Sequence, residues 1–94
     1  MRCDCSICER KGIVMTQFVV PSSDLLIEDD GNLLRTYRFG TQTAKHHFCS
    51  QCGSHLFVET RLDPGHFRIN LGCVDGVSSR QLPIEVYDGK SLAV

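Results

Sequence analysis

The sequence predicts an all-β domain. Three observations carry the prediction: short segments of alternating polarity, turn residues that recur about every ten positions, and a scarcity of helix signals. The run TQFVV at 16–20 reads as a strand stopped by Pro21. LLIE at 25–28 reads as another, closed by the turn-forming Asp29-Asp30-Gly31-Asn32. The sheet resumes over 33–39. Segments 44–48 and 55–60 flank Cys49 and Cys52, which puts that pair at a hairpin tip. Asp63-Pro64-Gly65 makes the next turn. Residues 66–71 have the cleanest period of two, with Phe67, Ile69 and Leu71 facing the core and His66, Arg68 and Asn70 facing solvent. Residues 84–87 form a last strand before an exposed end.

Ninety-four residues make one domain. A chain of that size buries only about 60 to 65% of its unfolded surface, so a staple beyond the apolar core is expected. No apolar run exceeds three residues, far below the roughly 20 of a membrane span, so no membrane partner is expected. Ten basic and eleven acidic residues are scattered along the chain and leave no electrostatic footprint for nucleic acid. Met1-Arg2 leads into Cys3 without an apolar leader, so the cytoplasm is the expected compartment.

Cys3, Cys5, Cys8, Cys49, Cys52 and Cys73 carry the chemistry. A disulfide framework is disfavoured: cysteines two apart close a ring too small for good torsions, and a reducing compartment opposes oxidation. FCSQCGSHLF at 48–57 is a zinc knuckle in pattern, two thiolates on a tight turn, with Gly53 letting the backbone fold back. A redox dithiol would instead sit at the start of a helix in a βαβ unit. The C-x-C-x-x-C of Cys3, Cys5 and Cys8 packs three sulfurs into one short loop, an arrangement that makes sense around a cation, and zinc is the default. Ligand counting leaves two outcomes open. Cys49 and Cys52 could join two of the first three in one closed structural site, or the trio could hold an open site by itself.

CDCSICERKG at 3–12, TYRFGTQTAKHHFCSQCGSHLF at 36–57 and FRINLGCVDG at 67–76 resemble, in order and spacing, the glutathione-dependent formaldehyde-activating enzyme family, especially the branch that includes centromere protein V. The resemblance implies a β-tent, small antiparallel sheets meeting over zinc. It implies that Cys3, Cys5 and Cys8 hold a catalytic zinc and that Cys49 and Cys52 serve a structural one. The family completes the structural site from an earlier C-x-C-G strand that this sequence does not contain, so residues 1–94 are expected to form an N-terminally shortened domain. A missing strand would expose a sheet edge and two thiols, which favours a homo-oligomer. Cys73 corresponds to a packed residue after a strand, expected as a buried inert thiol, with fourth ligand to the first zinc as the sharper alternative.

The implied reaction joins a glutathione-like thiol to formaldehyde, a carbon–sulfur lyase reaction run as addition, with the thiol taking the open zinc position. The rival expectation is a non-catalytic, zinc-stabilised protein-binding module. No general base stands out. His46, His47 and His55 are expected as solvated residues or as partners of metal ligands; Arg10, Lys11, Lys45, Arg61 and Arg68 could meet glutathione's carboxylates, but charged residues at a sheet surface usually only solvate it and none is assigned to a site.

Overall fold

The computed structural model describes residues 1–3, 5–38, 44–60 and 65–88. Its main body is a five-stranded antiparallel sheet in the order β2-β6-β5-β4-β3, from Val20–Pro21 (β2), Leu34–Arg38 (β3), Lys45–Cys49 (β4), His55–Glu59 (β5) and His66–Ile69 (β6). A second sheet pairs Arg2–Cys3 (β1) with Val86–Tyr87 (β7). The all-β antiparallel class is as expected, with two departures. The last strand falls within the expected 84–87 segment, but it pairs in parallel with β1 at the amino end. Ser6–Lys11 forms a short helix, α1, where a loop was expected. Its signals are local: Glu9 in the first turn, Arg10 and Lys11 in the last, and Gly12 closing it at φ 63.

The predicted strand at 16–20 shrinks to a bridge between Met15 and Asn70 and the two-residue β2. Thr16 Oγ1 donates to the Phe18 carbonyl at 2.8 Å, a local bond that competes with the ladder and turns Phe18 outward. Pro21 is tolerated because β2 is an edge strand. Residues 25–28 are not a strand. They follow a 3-10 turn at Ser22–Asp24 and pair with no strand among the described residues, and Leu26 is 82% exposed. The Asp29 turn is as expected: its carboxylate accepts the Leu33 and Leu34 amides at 2.8 and 3.0 Å and thereby launches β3. Those two bonds hold the Asp29 carboxyl below its ordinary range. The Asp63-Pro64 part of the next turn lies outside the described residues.

Adjacent residues of a strand face opposite ways, so the sheet buries two surfaces. Val58 packs with Met1 and Met15 in a core flanked by Ile13, Ala44 and Tyr87. Phe57, on the other face, meets Phe67 edge-on at 5.5 Å and His47 at 4.7 Å. Phe67 is buried as its period predicts, while Ile69 and His66 are half-buried. The periodicity overshoots at Leu71, because the Asn70 side chain accepts the Gly72 amide and starts a 3-10 turn at Leu71–Cys73. Met15, only 2% exposed, is the most buried member of the first core. Met15→Ala is expected to cost about 2 to 5 kcal/mol in urea denaturation; a loss well under 1 kcal/mol would show that this cluster is not the core.

Candidate metal centre

The two small elements at the amino end hold the trio. Cys3 ends β1, whose Arg2 amide is fixed to the Glu85 carbonyl at 2.8 Å. Cys5 is the N-cap residue of α1 and Cys8 lies within that helix, locked by Glu9 N–H to Cys5 O (2.9 Å) and Gly12 N–H to Cys8 O (3.0 Å). All three sulfurs lie within 4.8 Å of one another. Cys5 and Cys8 are buried and Cys3 is half-buried. The Cys8 thiol is pushed far up, first by its hydrogen bond to Cys3, then by burial, then by the neighbouring sulfur charges. Three crowded thiols cannot all ionise by themselves; a divalent cation removes that penalty, and this donor set suits zinc. Among the described residues, neither Cys49, Cys52 nor any histidine joins the group.

Beside the trio stands a basic cluster that sequence reasoning did not single out. Lys11 is three residues from Cys8, hence on the same side of α1, and its Nζ lies 3.1 Å from His55 Nδ1. Burial lowers the Lys11 ammonium and the Cys8 charge opposes the shift. His46 and His55, 5% and 7% exposed, meet edge-on at 5.4 Å. The irregularity between His47 and Phe48 explains the meeting. His46 pairs with Val58, but past the bulge Phe48 pairs with His55 rather than Leu56, which brings His55 to the His46 face. Burial, then the Lys11 charge, lowers both imidazoles to about 4, so both are neutral at physiological pH. With Lys11 donating to Nδ1, His55 carries its proton on Nε2, and His55 Nε2 and His46 Nδ1 are buried with no hydrogen-bond partner among the described residues. The expectation of solvated histidines is therefore corrected for these two. His47 is half-buried, with Nδ1 3.0 Å from Thr36 Oγ1.

Cys49 and Cys52 sit at the β4–β5 hairpin tip, as the pattern predicts. Gly53 N–H donates to Cys49 O at 2.8 Å with Gly53 at φ 80, and Cys49 N–H donates to Ser54 O at 2.9 Å. Cys52 is exposed and its thiol is lowered, chiefly by hydrogen bonding from Ser54. Cys73 is exposed rather than buried, and it joins neither the trio nor the core; its Sγ lies 3.5 Å from the His55 carbonyl. Of the remaining cations, Lys45 pairs with Glu59 at 3.8 Å, Arg68 donates to the Thr16 and Gln17 carbonyls, Arg10 is exposed, and Arg61 lies outside the described residues.

The molecule is thus a small, mainly antiparallel β domain with a cluster of three thiols that could hold a metal ion and a further cysteine pair on a hairpin tip. The chain belongs to the glutathione-dependent formaldehyde-activating enzyme family, whose model matches residues 1–89. The fold is similar to the crystal structure of a Rhodobacter sphaeroides protein, with a TM-score of 0.80 and 36% identity, covering 90% of this chain and 76% of that one. No helix among the described residues is long and apolar enough to cross a membrane.

The two buried imidazoles link stability to pH. They titrate near 4 in the folded chain against an ordinary 6.5, so between those values the unfolded chain binds more protons. Stability is expected to fall as pH drops from 6.5 towards 4, and His46→Gln to flatten the slope in denaturation midpoints measured across that window. An unchanged slope would show that His46 is not buried neutral.

Proposed function

We propose that the chain is a zinc-dependent carbon–sulfur lyase of the S-hydroxymethylglutathione-forming type, with Cys3, Cys5 and Cys8 as the ligands of its working zinc and Cys49 and Cys52 as ligands of a second, structural metal. The observation that carries the reading is the trio itself: three thiols within 4.8 Å, without a fourth donor among the described residues. Three protein ligands are the number a catalytic zinc keeps, leaving one position for substrate. Zinc held there supplies a soft cationic place for an incoming sulfur, which it keeps deprotonated.

The ligand charge decides which partner is activated. Three thiolates outweigh a divalent ion, so the site polarises a carbonyl poorly and suits delivery of a thiolate. The glutathione sulfur then bonds to the aldehyde carbon while the carbonyl π pair moves to oxygen, which must take a proton. The Lys11 ammonium, on the Cys8 side of α1 and lowered by burial, is the acid for that transfer, and the proton the thiol gives up to solvent on ionising restores it. His55 holds Lys11 in place through Nδ1, 3.1 Å from its Nζ. The reverse sequence releases aldehyde from the adduct.

Zinc analysis and titration of the cobalt-substituted protein with glutathione test the site. Glutathione is expected to shift the thiolate-to-cobalt absorption, and Cys8→Ser to abolish the shift. Cobalt bound by the trio but insensitive to saturating glutathione would overturn the enzyme and favour the non-catalytic binding module. Lys11→Met is expected to lower the rate of adduct formation by about 10²-fold or more at unchanged zinc content; an unaltered rate would remove Lys11 from the reaction.

A further inference from the structure

The sheet face that carries the basic cluster is covered on one side and open on the other. Val58 pairs with His46 on β4 and with Arg68 on β6, so these three share a face. Over β5 and β6 that face is closed by Met1, Met15, Ile13 and Tyr87, with the Arg68 guanidinium 5.7 Å from the Tyr87 ring. Lys11 comes next, against His55 and near enough to His46 for its charge to act on both rings. Beyond His46 lies β3. Its ladder with β4 is regular, which sets Tyr37 directly opposite His46 on the same face, with Cβ atoms about 5 Å apart. Tyr37 is 47% exposed, and Phe48, its diagonal neighbour on β4, is half-buried. Arg35 follows the same alternation, but its guanidinium is tied back to the Asn32 and Leu34 carbonyls at 2.7 and 2.9 Å.

We propose that Tyr37 selects the thiol substrate: on the uncovered β3 margin it holds the peptide arm of a glutathione-like thiol whose sulfur occupies the open position at Cys3, Cys5 and Cys8. The inference rests on the reading of that trio as an open thiol-binding centre. A thiol seated there must lay the rest of its chain over neighbouring surface. Towards β6 the core members block the way, and towards β3 the face is open. Lys11 at β5 and Tyr37 on β3 stand two strand spacings apart, about 10 Å, which an extended tripeptide spans at about 3.3 to 3.6 Å per residue. A tyrosine suits the task. Its ring offers a flat apolar surface to a peptide plane, while its hydroxyl donates to a carbonyl or carboxylate and accepts from an amide. A small thiol has no group to meet either contact, so the residue separates peptidyl thiols from simple ones.

Titration of the cobalt-substituted full chain with glutathione and with 2-mercaptoethanol, read at the thiolate-to-cobalt absorption, tests the inference. Tyr37→Ala is expected to raise the apparent Kd for glutathione about tenfold and to leave that for 2-mercaptoethanol, the cobalt content and the melting temperature unchanged. Tyr37→Phe, which keeps the ring and removes only the hydroxyl, is expected to raise the glutathione Kd about threefold. An unchanged glutathione Kd in Tyr37→Ala would overturn the inference and leave the centre a thiol site. Equal weakening of both thiols would overturn it as well, since Tyr37 would then act on the centre rather than on the arm. A wild-type absorption that neither thiol shifts would overturn the enzyme reading and this inference together.

Discussion

The constraint on which the structure depends is the crowding of three sulfurs at the junction of β1 and α1. Cys5 and Cys8 are buried, and the Cys8 thiol resists ionisation against its neighbours. Such a cluster opposes folding while its thiols are deprotonated and uncompensated, and favours folding once a cation neutralises them. The elements around it are too small to be stable by themselves: two residues of β1, two of β7, six of α1. They pack against a core whose buried members are Met1, Met15 and Val58. In a domain that buries so little, metal binding energy becomes folding energy, and zinc-finger peptides show that term reaching about 10 to 16 kcal/mol.

The β4–β5 hairpin connects this centre to the rest of the molecule. Its tip presents Cys49 and Cys52 on a turn that Gly53 makes feasible at φ 80, where a Cβ would be strained. Its body presents His46 and His55 towards Lys11. A regular ladder could not do both. Without the bulge, His55 would share the face of Phe57, the one that meets His47 and Phe67, and the Lys11 side chain would lose its acceptor. One inserted residue therefore assigns the two ends of a five-residue strand to different chemistry.

What was legible in the sequence follows from range. The Asp29 turn, the Cys49–Cys52 knuckle with its flanking strands, and the burial of Phe67 are set by residues close along the chain, and each has a local signature. The thiol trio was legible because C-x-C-x-x-C brings its own ligands within a few bonds. Helix α1 escaped because six residues are too few to establish a period, although Gly12 after Arg10-Lys11 was a usable stop signal. The parallel pairing of Cys3 with Tyr87 joins opposite ends of the chain and has no local trace. The Lys11–His55–His46 cluster needs both that helix and the bulge, so neither its burial nor its orientation could be read from spacing. The burial expected of Cys73 came from the family resemblance, and the turn after β6 departs from it. Period-two reasoning carried β6 through Leu71, whereas Asn70 ends it in a turn that brings the next thiol to the surface.

The charges around the trio fit one division of labour. Three thiolates around a divalent cation would carry one net negative charge, and the Lys11 ammonium, which feels the Cys8 charge, would offset it. Had His46 and His55 been protonated, two further positive charges would lie against Lys11, and burial makes that arrangement costly. Their lowering to about 4 keeps the pocket's positive charge on a single side chain, which His55 holds in place by accepting its hydrogen bond. Neutral imidazoles beside Lys11 leave the ammonium as the one positive charge of the cluster. In the proposed reaction the thiolate cluster and the Lys11 ammonium would serve the two ends of the bond change that thiol addition to a carbonyl requires, sulfur on one side and oxygen on the other.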